Sequence, residues 1–167
     1  RVLSQLNSKP EATSELRRAV QLDPQRGDLH NDLGSVLAQQ GQFADAAAEF
    51  NEALRLQPNL ASAHLHLGVI RSEEHQLEDA TNELRKAIEL APRDAAPHYH
   101  LAQVLVSESK DSEALQELHT AATLKPDWFE AQVMLGRTCQ RRADPDCAVG
   151  AFETAVKLRP ADAATLN

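Results

Sequence analysis

Apolar and polar positions along the chain repeat with one long period. Prolines recur every 34 residues, leucine precedes each proline by two residues, and alanine precedes it by five. The columns are Pro24, Pro58, Pro92, Pro126 and Pro160; Leu22, Leu56, Leu90, Leu124 and Leu158; and Ala19, Ala53, Ala87, Ala121 and Ala155. A fixed period of this length indicates a protein built from stacked copies of one helical or strand unit.

The second half of each unit has the pattern of an amphipathic helix. Ala12, Leu16, Ala19 and Leu22 follow one another at spacings of four, three and three, which places them on one helical face. The proline two residues later then ends the helix. The corresponding pairs in the later units are Ala46 and Phe50, Ala80 and Leu84, Ala114 and Leu118, and Ala148 and Phe152.

The first half of each unit predicts a second helix packed closely on the first. A leucine column is followed directly by a column of small residues, and a mostly histidine column precedes it by three. These columns are Leu33, Leu67, Leu101 and Leu135; Gly34, Gly68, Ala102 and Gly136; and His30, His64, His98 and Gln132. Small residues inside a helix indicate that another helix approaches closely, and we expect the histidines to lie in this packing interface.

Turn and helix-start signals fall between these helices. Gly41 predicts a tight turn, while Ser109 and Ala143 occupy the equivalent position, so we expect those two turns to differ locally. Proline is tolerated in the first turn of a helix, where its missing N–H has no partner. Each of three further prolines therefore predicts a helix start: Pro10, Pro97 and Pro145.

Small residues at the eighth, twentieth and twenty-seventh positions of the unit, with proline at the thirty-second, resemble the tetratricopeptide repeat family. The resemblance implies an all-α fold, a right-handed α-solenoid of helix-turn-helix repeats (an α-α superhelix). Residues 27–60, 61–94, 95–128 and 129–162 would be repeats, 1–26 a partial repeat and 163–167 the start of another, all within one solenoid domain. We expect a piece of a longer protein with uncapped ends, because Phe152, Ala155 and Leu158 would face outward from the last hairpin.

Composition excludes several functions. Twenty-five acidic against 17 basic residues give a net charge of −8, which disfavours nucleic acid and anionic membranes as partners. The sequence has no apolar run of about 20 residues, so we expect no membrane insertion. Two cysteines, Cys139 and Cys147, are too few for a disulfide framework; unpaired thiols are favoured, with a bridge across the hairpin as the alternative. The compartment stays open, with the cytoplasm as the default expectation.

The resemblance also implies where a ligand would bind. In this family the first helices line a concave groove, and positions 2, 5, 6, 9, 12 and 13 of each unit face it. The candidate groove residues are Asn31, Leu65, His66, Val69, Tyr99, His100, Gln103, Val133, Met134, Arg137 and Arg141. Leu65, Val69, Tyr99, Val133 and Met134 suit apolar anchors, and Arg137 with Arg141 suits a carboxylate.

We therefore predict a non-catalytic interaction scaffold that binds a peptide segment of an unidentified partner protein. No phosphate-binding loop, nucleophile elbow or metalloprotease helix is present in the sequence, and we expect neither cofactor nor metal. His66 and His100 lie at equivalent positions on neighbouring first helices, but the sequence shows no third metal ligand. The five positions of the family's chaperone-binding carboxylate clamp fall here on Asn31, Ser35, His66, Ala96 and His100, or one repeat later on Leu65, Val69, His100, Glu130 and Met134. Neither set has the required cations, which argues against chaperone tails.

Two alternatives remain. In the first alternative, the chain is a substrate-recognition arm of a larger enzyme, such as one resembling the O-linked N-acetylglucosamine transferases. Repeats of those enzymes commonly carry asparagine at the sixth position, where this sequence has Asp32, His66, His100 and Met134. Otherwise, the chain is a self-assembly module that associates through its uncapped ends.

Overall fold

The computed structural model describes residues 2–161, with side chains from residue 11 onward. Within that part the chain forms nine α-helices and no strands. The helices are α1 (Val2–Leu22), α2 (Gly27–Gln39), α3 (Phe43–Leu56), α4 (Ala61–Glu73), α5 (Leu77–Leu90), α6 (Ala95–Ser107), α7 (Asp111–Leu124), α8 (Phe129–Arg141) and α9 (Pro145–Leu158). We call α2, α4, α6 and α8 the first helices, and α3, α5, α7 and α9 the second helices. The predicted all-α fold is confirmed.

The proline column ends the second helices. Each of these helices stops two residues before a proline, and the residue between them has left the helical conformation, with φ between −135° and −138° and ψ between 68° and 83°. The proline ring crowds the residue before it and disfavours the helical conformation there. One residue type at a fixed position therefore sets the length of every second helix.

Each first helix packs against the second helix that follows it, and the small-residue column is where the two approach most closely. A Cβ atom added to Gly34 would lie 2.8 Å from the Phe50 ring, and one added to Gly68 would lie 2.6 Å from Leu84. Gly136 has the same relation to Phe152, also at 2.6 Å. The prediction that small residues indicate close helix contact is confirmed.

The last hairpin buries more of its own surface than the sequence suggested. Ala155 is completely buried, and Phe152 and Leu158 are half-buried, so the expectation that this column faces outward is wrong. The physical reason is that the second helix turns this column toward its own first helix, α8. The apolar residue of α9 that does face solvent is Val149, with 56% of its surface exposed.

All four turns from a first to a second helix have the same backbone geometry. Gly41 has φ of 76°, and the equivalent residues His75, Ser109 and Ala143 have φ of 60°, 60° and 55°. In the turn at Gly41, the Gly41 amide donates to the Ala38 carbonyl and the Gln42 amide to the Leu37 carbonyl, the Schellman arrangement, and the other turns repeat it. The predicted local differences are therefore wrong, because hairpin packing imposes one turn geometry whichever residue occupies it.

The helix-start prolines behave in two ways. Pro145 is the first residue of α9 and Pro97 the third residue of α6, as predicted. Pro10 instead lies inside α1, so the helix start predicted there is wrong. The φ that a proline ring imposes is itself helical, but the ring removes one backbone donor and crowds the carbonyl four residues earlier, so an interior proline destabilises or kinks a helix and need not mark its start. The further repeat predicted at 163–167 lies outside the described residues.

The hairpins stack in chain order. Each second helix also contacts the next first helix, and first helices contact one another directly, as α2 does α4 and α4 does α6. Second helices of neighbouring hairpins make no comparable contact within the described residues, so we call the face of the stack that carries the first helices its inner surface. Among residues 2–161, no helix combines the length and the apolar character needed to cross a membrane.

Candidate functional site

A depression of about 390 Å³ lies on the inner surface between α6 and α8, and we call it the α6–α8 slot. Tyr99 and Val106 line it from α6. The α8 helix contributes Phe129, Glu130, Val133, Met134, Arg137 and Arg141. The slot thus brings together five candidate groove residues, namely Tyr99, Val133, Met134, Arg137 and Arg141.

The floor of the slot is apolar and well supported. Tyr99, Val106 and Met134 are half-buried and pack against the hydrophobic core beneath them. The Tyr99 ring lies 4.5 Å from the Trp128 ring, centroid to centroid, and burial raises the pKa of the Tyr99 hydroxyl. The tyrosine therefore forms a fixed, neutral wall of the slot.

At the C-terminal end of α8, Arg141 is already bound to a carboxylate. Its Nε donates to Asp111 Oδ2 at 3.1 Å, and its Nη2 donates to Asp111 Oδ1 at 2.8 Å and to Thr138 Oγ1 at 3.1 Å. The hydrogen bond from Arg141 lowers the pKa of Asp111. Arg137 is exposed and has no hydrogen-bond or ion-pair partner among the side chains of residues 11–161. The two arginines thus differ, whereas the sequence hypothesis had treated them as an equivalent pair.

At the opposite end of the slot, Glu130 and Phe129 are both in contact with Arg159. The guanidinium of Arg159 lies 2.8 Å from Glu130 Oε1, and its carbon lies 4.4 Å from the centroid of the Phe129 ring. The backbone hydrogen bond that Glu130 accepts, together with the Arg159 charge, lowers the pKa of this carboxyl. This end is therefore a charged but internally paired border.

His66 on α4 and His100 on α6 are half-buried and are not among the residues that line the slot. The His66 ring stacks on Phe50 with centroids 4.9 Å apart. His100 Nδ1 donates to Gln103 Oε1 at 2.8 Å, and Gln103 Nε2 donates to the Tyr99 hydroxyl at 3.4 Å. Burial lowers the pKa of both histidines, and the charge of His100 lowers that of His66 further. Burial therefore favours the neutral form of both rings, and His100 with Gln103 supports Tyr99.

The remaining candidates lie toward the N-terminus, outside the slot. Asn31 Oδ1 accepts a hydrogen bond from Ser62 Oγ at 3.1 Å, which joins α2 to α4. Leu65 and Val69 are half-buried on α4. Within residues 11–161, no three His, Cys, Asp or Glu side chains come together as metal ligands would.

Sequence reasoning missed three lining residues and one ion pair. Val106 and Glu130 occupy groove-facing positions but were not selected, and Phe129 is the first residue of its unit, which is not one of the groove-facing positions. Asp111 had a detectable signal, because the two preceding repeats carry Phe43 and Leu77 at its position. An acidic residue in an otherwise apolar column indicates a specific partner.

The predicted fate of the cysteines is wrong. Cys139 and Cys147 form a disulfide, with their Cα atoms 5.8 Å apart. The turn at Ala143 brings the last turn of α8 beside the first turn of α9. In the hairpin of α2 and α3, the positions equivalent to the two cysteines hold Leu37 and Asp45. The bond links the two helices next to Thr138 and Arg141.

The histidine column is structural, as predicted. His30 Nδ1 lies 2.7 Å from Glu49 of the following second helix, and His64 and His98 lie 2.6 Å from Glu83 and Glu117. These contacts join the first helix of a hairpin to the second. The fourth hairpin replaces both partners, with Gln132 and Ala151.

Comparison with known proteins agrees with this geometry. A family model described as a TPR repeat matches residues 34–74, and another described as a tetratricopeptide repeat matches residues 61–94. No sequence among the curated proteins matches the chain.

Three solved structures illustrate the fold. MamA from Desulfovibrio magneticus RS-1 has a TM-score of 0.80 and 22% identity, covering 93% of this chain and 88% of that one. PilF of Pseudomonas aeruginosa has a TM-score of 0.82 and 21% identity, covering 96% and 73%. YrrB, described as a TPR protein with an unusual peptide-binding site, has a TM-score of 0.73 and 22% identity, covering 96% and 82%. The repeat matches over residues 34–94, the column pattern and the fold agree: the chain carries tetratricopeptide repeats and is an α-solenoid, and such repeats form protein–protein interaction scaffolds.

Proposed function

We propose that this chain is a non-catalytic scaffold that binds an extended peptide segment of a partner protein in the α6–α8 slot. The observation that carries the proposal is the slot itself, an apolar depression on the inner surface with an unpartnered arginine at its edge. Recognition sites for peptides combine a pocket for an apolar anchor with a few oriented polar groups. Tyr99, Val133 and Met134 supply the first element and Arg137 the second.

The dimensions suit a peptide better than a folded domain. A volume of about 390 Å³ accommodates a few side chains, while the first helix α8 along its edge has 13 residues and so extends over about 20 Å. An extended peptide spans that length with about six residues. The description of YrrB as a peptide-binding protein supports the proposal by analogy of fold.

The chain carries a built-in probe of the slot. Met134 is the single methionine in the sequence, so labelling methionine with ¹³C-methyl gives one NMR signal, from the slot floor. Peptides selected from a random display library on the immobilised protein should shift that signal on titration. Val133→Glu should weaken their binding at least tenfold, because it places a charge on the apolar floor.

Val149→Glu is the matched control, since it makes the same substitution at an exposed valine outside the slot. It should leave affinity unchanged, and circular dichroism should show equal helicity for both variants. If selected peptides bind without moving the Met134 signal and tolerate Val133→Glu, the slot is not the binding site and the proposal is wrong.

A further inference from the structure

We infer that the α6–α8 slot selects peptides that carry one apolar and one acidic side chain two residues apart, with the acidic side chain on Arg137. This inference rests on the proposed function and names the ligand class of the same site.

The charges around the slot leave one unmatched group. Of the three charged side chains that line it, Arg141 is paired with Asp111 and Glu130 with Arg159. Arg137 is the third and has no partner among the described side chains. A guanidinium presents planar paired donors that match a carboxylate, and an unpaired arginine beside an apolar floor suits an acidic side chain next to an apolar one.

The same pairing limits the ligand to one acidic group at this end. Arg141 donates to both oxygens of Asp111 and to Thr138, so a second ligand carboxylate would have to displace an existing bidentate contact. The net charge of −8 also disfavours strongly acidic peptides. The slot therefore favours an acidic residue within an apolar segment over a run of acidic residues.

The helix geometry gives the spacing. Val133 and Arg137 are four residues apart on α8, a rise of about 6 Å along the helix. In an extended peptide, neighbouring side chains face opposite ways, and side chains two residues apart lie about 6.4–6.8 Å apart on the same side. An apolar anchor above Val133 and Met134 thus places the acidic residue two positions away, in reach of Arg137.

The carboxylate is assigned to a side chain and not to a chain terminus. Arg137 lies within the length of α8, and the surface continues past it to Arg141. A peptide that follows the slot therefore extends beyond Arg137 in both directions.

Blocked synthetic peptides test the inference. The reference is acetyl-Gly-Ser-Leu-Ser-Glu-Ser-Gly-amide, compared with versions carrying Gln for Glu or Glu directly after Leu, and with a shortened peptide whose free terminal carboxylate replaces the Glu side chain. Affinity is measured from the Met134 methyl shift. The reference should bind about fivefold more tightly than the Gln and adjacent-Glu peptides, as expected for one partly exposed ion pair.

Protein variants then assign the charge. Arg137→Gln should bind the Glu and Gln peptides equally, and Arg137→Glu should prefer a peptide with Lys at the acidic position. Arg93→Gln, an exposed arginine in the loop between α5 and α6, is the matched control and should keep the preference for Glu.

The failures are distinguishable. Equal binding of the Glu and Gln peptides by the parent protein, with a clear Met134 shift, overturns the acidic assignment and leaves peptide binding standing. Tighter binding of the free-terminus peptide overturns the side-chain assignment. If none of these peptides and no library-selected peptide moves the Met134 signal, the proposed function itself fails.

Discussion

Three residues hold a backbone conformation that glycine adopts in the first interhelix turn. His75, Ser109 and Ala143 have φ between 55° and 60°, where the Cβ of an L-residue crowds its own backbone. Ala143 has no polar side chain that would compensate by a local hydrogen bond. The fold therefore carries a small local strain at these three turns, and the turn at Gly41 is free of it.

Replacing Ala143 by glycine should stabilise the protein. We expect Ala143→Gly to raise the free energy of unfolding by about 1 kcal/mol, because it removes the left-handed strain at a modest entropic cost. Gly41→Ala should lower it by a similar amount. Urea denaturation followed by circular dichroism measures both. Ala48→Gly, at an exposed position inside α3, is the control and should be destabilising; a loss of stability in Ala143→Gly as well would contradict the argument.

The half-buried histidines His66 and His100 predict an acid-sensitive contribution to stability. Burial lowers the pKa of His66 and His100. At and below about pH 6.5, the ordinary pKa of histidine, the unfolded chain therefore binds protons that the folded chain does not bind. Their contribution is fully present above that pH and is lost as the pH falls through the folded-state pKa values. The double variant His66→Gln and His100→Gln should therefore lose less stability than the parent between about pH 7 and pH 5.

Urea denaturation across this pH range gives the two slopes to compare. His75→Asn removes an exposed histidine at a position where asparagine tolerates the left-handed backbone, and it should keep the parent slope. Parallel slopes for the parent and the double variant would show that the two rings are not the source.

At the scale of helices and hairpins, the sequence predicts well those features that depend on contacts within one hairpin. The Leu, Ala and Gly columns are buried by the partner helix a few residues away, so their spacing predicted the helices and the close contacts directly. The pairing of Arg141 with Asp111 spans 30 residues and joins two hairpins, and it depends on one residue that departs from its column. Such contacts depend on the stacking of hairpins, which a pattern within one unit does not specify.

The histidine–glutamate contacts predict coupling between the two helices of a hairpin. His98, with 9% of its side chain exposed, lies 2.6 Å from Glu117, and the fourth hairpin has Gln132 and Ala151 at these positions. Glu117→Ala leaves the imidazole largely buried without this partner and should cost about 1–2 kcal/mol. The double variant His98→Gln and Glu117→Ala reproduces the fourth hairpin and should cost less than the sum of the single variants.

Thermal and urea unfolding of the parent and the three variants measure the free energies of unfolding for this double-mutant cycle. Gln116→Ala, an exposed neutral change on the same helix, should stay within about 0.5 kcal/mol of the parent. Additive single effects would mean that the two side chains do not act as a pair.

At the scale of the whole molecule, stability is distributed hairpin by hairpin. Helices contact their neighbours in the chain, and α4 also contacts α2 and α6, so no single core unites the two ends. The buried side chains accordingly form two clusters, one around Phe50 from α2 to α4 and one from α5 to α9 around Leu118. A perturbation at one end should therefore weaken with distance along the stack.

Reduction of the Cys139–Cys147 bond tests that expectation. The bond closes a short loop of sequence separation 8, for which chain entropy predicts a stabilisation of roughly 2–3 kcal/mol. Adding dithiothreitol should accelerate amide hydrogen exchange in α8 and α9, while exchange in α2 and α3 stays as it was. Cys139→Leu with Cys147→Asp restores the residue types of Leu37 and Asp45 in the first hairpin, and this variant should not respond to the reductant. Faster exchange in every helix on reduction would show one cooperative unit, and unchanged exchange in α8 and α9 would show that the bond contributes nothing to the stability of the last hairpin.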